Sequence, residues 1–257
     1  MFQIITQEYE RIKEISNKTS PSKRQIYAEL KNPSVYKPVI ILIIIFLLQQ
    51  LSGTYAVIIY SVPIFDELSG GISKIGLILF GIVRFVMSVI TAACSKSVGR
   101  RVLCIFSGLG MSITMLLLSI LLYFASLPND NIGLKDGIPK ENWYVLVILL
   151  LYVCSSCLGF IVIPWTLIGE LLPISVKGTF SGIMVALAYL QMFAVSKSYP
   201  YIQSYIGLQY VFLSFSIFSL IGTIFIYKFL PETLGKSFLE IENYFKRNSA
   251  VVNQVFK

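Results

Sequence analysis

The chain has 257 residues, 56% of them apolar and 13% charged, with 21 Lys and Arg against 13 Asp and Glu and no His. The charged fraction is about half the ~25% usual for a soluble globular domain, and the mean hydropathy is +0.77. That excludes a soluble fold, and it excludes a disordered chain, which needs low hydrophobicity and high charge. Without His and with few mid-chain acids, most hydrolytic and metal-dependent chemistry lacks its side chains. The reading is therefore a non-enzyme with no metal and no cofactor.

In chain order, residues 1–37 read as cytoplasmic linker helices. Ile4, Ile5, Tyr9, Ile12 and Ile15 recur at roughly helical spacing between charged residues, and Ser20-Pro21-Ser22 breaks the pattern. The first 20 residues are polar and lack an apolar signal-peptide core, so no cleavable signal is expected. Six stretches follow that are long enough to cross a bilayer: 38–60, 75–94, 102–125, 143–169, 178–196 and 208–227. Lipid leaves the backbone nothing to bond but itself, so each is read as a helix. Runs such as Ile40–Leu48 do not alternate, which excludes a barrel. The expectation is an all-α membrane protein, with a bundle over 38–230 and a cytoplasmic tail over 231–257. Turn formers dominate 126–142, the one long external loop. Cys94, Cys104, Cys154 and Cys157 fall in or beside spans and read as packing residues.

Lys and Arg divide unevenly between the two sides. One side, with both termini, carries sixteen; the other carries only Lys74, Lys135, Lys140 and Lys197. This asymmetry places both termini in the cytoplasm. The basic residues are spread over short loops, which argues against nucleic acid and for a lipid bilayer as partner.

Four patches carry chemistry. Gln49-Gln50-Leu51-Ser52-Gly53-Thr54-Tyr55 is the densest polar run in the spans. Side-chain amides both donate and accept, as a polyol ligand requires, and they equally serve bonds between helices. Gly53 interrupts this span, as in discontinuous helices that line a cavity. Pro164-Trp165 lies inside the fourth span. The proline is expected to kink it or to free a carbonyl, and the Trp can stack on a sugar ring or sit in an interfacial belt. Gly99-Arg100-Arg101 joins the second and third spans, while Glu170 and Lys177 bracket another tight cytoplasmic turn. Pairing between such loops would latch helix ends together; plain topology charge is the alternative. Pro231-Glu232-Thr233-Leu234-Gly235 follows the last span, and Glu232 is available to the same network. Arg84 stands near mid-span, ~15 Å from either end at 1.5 Å per residue, where charge faces a cavity or a partner.

These patches, QQxSG, GRR, PWxxxxE and PETxG in that order, resemble the sugar porter family of the major facilitator superfamily, and within it the insect facilitated trehalose transporters. The resemblance covers nearly the whole chain but only the C-terminal half of the family's twelve-span pattern. It implies one six-helix half of the fold, with sugar as substrate and a missing N-terminal six-helix bundle, or a second chain, as partner. It implies sugar contacts at Gln49, Gln50 and Trp165, with Thr54, Tyr55, Arg84 and Tyr189 around them. Arg100, Arg101, Glu170, Lys177 and Glu232 would form the inner charge network. The chain departs from the family at Tyr55 (usually Asn), Arg84 (a polar amide), Lys96 (an acid), Tyr189 (often Trp) and Ile161-Val162-Ile163 (usually a Gly-Pro hinge). No span has a mid-depth acid, so passive transport by alternating access is expected rather than proton coupling. The alternative is a truncated, non-transporting half. Plasma membrane is the expected location.

Overall fold

The computed structural model describes residues 32–69, 73–126, 143–174 and 176–245. The expected linker helices of 1–31, the loop 127–142 and the end of the tail lie outside them. Among the described residues the elements are helices: α1 (Pro33–Leu51), α2 (Thr54–Ile59), α3 (Ser61–Ser69), α4 (Ser73–Cys94), α5 (Arg100–Ser126), α6 (Trp143–Leu158), α7 (Ile163–Leu171), α8 (Lys177–Ile206) and α9 (Leu208–Phe229). Residues 238–245 form a further short helix, α10. Six segments are long and apolar enough to cross a membrane: Ser34–Leu51, Lys74–Cys94, Arg100–Phe124, Trp143–Leu171, Lys177–Ile206 and Leu208–Phe229.

Two boundaries differ from the sequence expectation. The fifth span does not end at residue 196; α8 runs to Ile206 with Pro200 inside it. Pro164 does not kink a continuous fourth span either, though it does leave the Phe160 carbonyl four residues back without a helical donor. The break lies before it, over 159–162, and Pro164 sits in the first turn of α7. A proline has no N–H to lose there, because first-turn amides have no helical partner.

The chain divides into two compact units. The larger comprises Ile44–Trp165 and Ala188–Leu234. In it α9 packs along α5, α5 against α6, and α6 against α4. Small and hydroxylic residues let α5 and α9 approach closely: Ser112 and Ser216 hydroxyls lie 3.3 Å apart, and the Ser216 hydroxyl donates to the Ser112 carbonyl at 2.8 Å. Phe46, Met111, Met115, Leu118, Phe160 and Phe212 fill this core. The smaller unit draws on Met1–Ile43, Thr166–Leu187 and Gly235–Lys257. Val35, Leu42, Leu167, Leu171, Phe180 and Ile241 are buried there, and the Lys177 ammonium lies 4.6 Å from the Phe238 ring centre.

Candidate functional site

The larger unit contains two interrupted helices. The first break, between α1 and α2, centres on Gly53 at φ 82, a left-handed conformation that glycine alone adopts without penalty. The Gly53 amide bonds to the Gln50 carbonyl at 3.1 Å instead of reaching back four residues to Gln49. The Gln49 carbonyl is taken by two hydroxyls, Ser52 at 2.8 Å and Thr54 at 2.7 Å. The Ser52 carbonyl accepts the Tyr152 hydroxyl at 2.9 Å. The Gln49 and Ser52 carbonyls at the break are thus met by side chains, as an apolar surround favours. Ring atoms of Phe215 fill the space where a Gly53 side chain would begin.

The second break, 159–162, separates α6 from α7. The Phe160 amide donates to the Ser107 hydroxyl at 3.0 Å. The freed carbonyls of Phe160 and Ile161 both accept Gln49 Nε2, the second at 3.3 Å. One side chain therefore ties the two breaks together. Gly159 permits this by lying against α5, where an added Cβ would stand 2.8 Å from the Leu103 carbonyl.

Around these breaks the sequence-read residues take distinct places. Gln49 is 0% exposed and its Nε2 is engaged by backbone, while its Oε1 has no hydrogen-bond partner among the described residues. Gln50 is 2% exposed, and its Nε2 has no such partner at all. Thr54 is buried with its hydroxyl committed to the break. Trp165 Nε1 donates to the Tyr55 hydroxyl at 3.2 Å. The Trp165 ring meets Phe46 edge-on at 5.0 Å and tilts against Tyr189 at 5.6 Å. Tyr189 is 53% exposed, which makes it the open edge of this aromatic group. Arg84 is half-buried and lines a cleft of about 340 Å³ with Phe80, Ser88, Cys157 and Ile161.

Residues 3–245 match the family model described as sugar (and other) transporter. The chain belongs to that family. It is 32% identical over 230 residues to the facilitated trehalose transporter Tret1 of Anopheles gambiae, covering 88% of this chain and 28% of that protein. It is 33% identical over 232 residues to the Tret1 of Polypedilum vanderplanki, covering 88% and 44%. Among solved structures it superposes on the proton:xylose symporter XylE bound to 6-bromo-6-deoxy-D-glucose, with TM-score 0.68 and 23% identity over 80% of this chain and 42% of that one. The inward-open xylose transporter XylE from E. coli gives TM-score 0.67 at 22% identity, covering 81% and 42%. The chain thus spans less than half the length of these relatives. It is an integral, multi-pass, all-α membrane protein with one six-helix half of the major facilitator superfamily fold.

In this sugar (and other) transporter family member the residues read as a charge network take the following places. The Glu232 carboxylate accepts the Arg100 backbone amide at 2.9 Å and its neighbours' amides, Thr233 at 3.0 Å and Leu234 at 3.1 Å. It caps the start of α5 from across the fold, a favourable place for an anion at a helix N-terminus. Arg100 Nη1 donates to the Ser95 carbonyl at 3.1 Å, closing the α4–α5 turn. Arg101 donates to the Tyr227 carbonyl, and its guanidinium lies 5.2 Å from the Tyr227 ring centre. Glu170 and Lys177 belong to the smaller unit, Glu170 near the end of α7 and Lys177 opening α8.

Sequence reading missed three contributors. Ser107 holds the second break, Tyr152 holds the first, and Tyr60 stacks on Tyr199 at 4.9 Å while its hydroxyl donates to Ser196 O at 3.1 Å. A serine or tyrosine in a span signals only that some partner exists; the partner, 53 to 136 residues away, is set by the fold.

Proposed function

We propose that this chain forms the C-terminal half of a sugar transport pathway that works by facilitated diffusion with alternating access. Transporter sites are built where broken helices expose backbone and polar groups at mid-membrane. The observation that carries the reading is the pair of breaks bound together by Gln49, in a chain of this family. Gln50 supplies the amide for the sugar hydroxyls, since its Nε2 has no hydrogen-bond partner among the described residues. Trp165 supplies a stacking face, and Tyr55 and Tyr189 frame it. Gln49 and Thr54 serve by holding the breaks open. The span of less than half of the relatives' length supports a second six-helix bundle, from the same or another chain, as the partner that completes the pathway. Arg100, Arg101, Glu170, Lys177 and Glu232 set the inner ends of the helices, with both termini cytoplasmic in the plasma membrane. Residues 1–37 act as the linker, 38–230 as the bundle and 231–257 as the tail.

The test is a titration of the chain in nanodiscs with glucose and with trehalose. Trp143→Phe leaves Trp165 as the reporting indole, because the chain has two Trp. A saturable fluorescence change for either sugar, lost in Gln50→Leu at unchanged helical content, is expected. No saturable change with either sugar overturns the reading. Tracer uptake by cells carrying the chain then separates two arrangements: uptake means that copies pair, and none means that a different second half is needed.

A further inference from the structure

Arg84 poses a physical problem that the sugar reading alone does not solve. It is residue twelve of the 22 in α4, so one helical end is ~15 Å away on either side at 1.5 Å per residue. Its side chain cannot snorkel to a headgroup from there, and a charge at such depth is costly unless it faces a cavity or a partner. None of the 13 Asp and Glu falls in α1, α2, α4, α5, α6, α8 or α9. Within the unit that holds Arg84, the described acids Asp66, Glu67 and Glu232 lie in α3 or beyond the end of α9. Arg84 makes no hydrogen bond or ion pair with any described residue.

The cleft itself suits a small solute. Its volume of about 340 Å³ falls within the range of small-molecule sites. Ser88 lies one turn from Arg84 on the same face and adds a hydroxyl. Gly81, one turn before Arg84, also lines the cleft, and nothing lies within 4 Å of where its Cβ would be. The unwound stretch 159–162 contributes Ile161 and Val162 to the opposite wall.

We infer that the Arg84 cleft selects sugars bearing one carboxylate, uronates and related sugar acids, over neutral sugars. A guanidinium presents paired N–H groups that match the two oxygens of a carboxylate. One cation compensates one negative charge; a phosphate dianion would leave a net charge in the same apolar cleft. The sugar-transport reading supplies the polyol, and Arg84 supplies the discrimination, so this inference rests on that reading.

The experiment measures binding of D-glucuronate, D-glucose and glucose 6-phosphate to the chain in nanodiscs, with radiolabelled ligand and unlabelled competitors. Glucuronate is expected to bind at least tenfold tighter than glucose, and glucose 6-phosphate more weakly than glucuronate. Arg84→Asn is expected to bring the glucuronate-to-glucose ratio within about threefold of unity. Arg84→Lys keeps the charge without the fork and is expected to retain part of the preference. Glucose binding as tightly as glucuronate in the unaltered chain overturns the inference and leaves the sugar reading standing. A preference that survives Arg84→Asn also overturns it. Tighter binding of glucose 6-phosphate overturns the choice of a carboxylate. Absence of binding by all three defeats the sugar reading and the inference together. If Arg84→Asn does not fold, the ratio in the unaltered chain and in Arg84→Lys still decides.

Discussion

Replacing Gly53 by alanine tests the first break most directly. Two penalties apply at once. A left-handed conformation costs an L-residue about 1–2 kcal/mol, and Gly53 has φ 82. The new methyl also meets the Phe215 ring, which is 6% exposed and backed by Tyr199 and Phe212 at 6.2 and 6.3 Å. Overpacking of this kind costs typically ~1–3 kcal/mol. The expected loss is therefore about 3 kcal/mol, which at ~2–4 °C per kcal/mol lowers Tm by roughly 6–12 °C. The assay is thermal unfolding of the purified chain in detergent, for Gly53→Ala alone and in a Phe215→Ala background. In that background the steric share vanishes and only the conformational share, about 1–2 kcal/mol, should remain. An equal loss in both backgrounds would show that Phe215 does not oppose the methyl. A loss below about 0.5 kcal/mol, the ordinary range for surface substitutions, would refute the left-handed turn itself.

The adjacent glutamines should separate cleanly under the same assay. Gln49→Leu strips the donor from two buried carbonyls and should cost about 2–3 kcal/mol, whereas Gln50→Leu removes a buried amide nitrogen without a partner and should be neutral or slightly stabilising. Equal effects on Tm would contradict the division of roles. Glu232→Ala leaves three backbone amides without their acceptor and should cost about 1–2 kcal/mol, as loss of a helix cap does, with faster proteolysis at the 95–99 turn. Glu232→Gln keeps an acceptor oxygen and should lose less; a larger loss than with Ala would rule out the capping role.

The sequence by itself determined the solvent and the number of spans. Sustained apolar runs with almost no charge can only be helices in lipid, because every backbone group must bond within its own segment. It also located the first break, since Gly53 amid Gln, Ser and Thr marks a helix whose backbone needs side-chain partners. It signalled the second through Pro164, which leaves the Phe160 carbonyl four residues back without a helical donor, but only the backbone path shows that the unwound stretch is 159–162 and that Pro164 opens α7. It ran the fifth span short at residue 196, whereas α8 continues through Pro200 to Ile206, because an amide removed by a mid-helix proline does not stop the turns on either side. The roles within the site were decided by tertiary structure alone. Gln49 and Gln50 are identical in type and adjacent in sequence, yet neighbouring positions on a helix point about 100° apart. One amide therefore reaches the Phe160 and Ile161 carbonyls 111 and 112 residues away, and the nitrogen of the other has no hydrogen-bond partner among the described residues. Which side chain is spent on holding the fold depends on distances between segments remote in sequence, and those are fixed by packing.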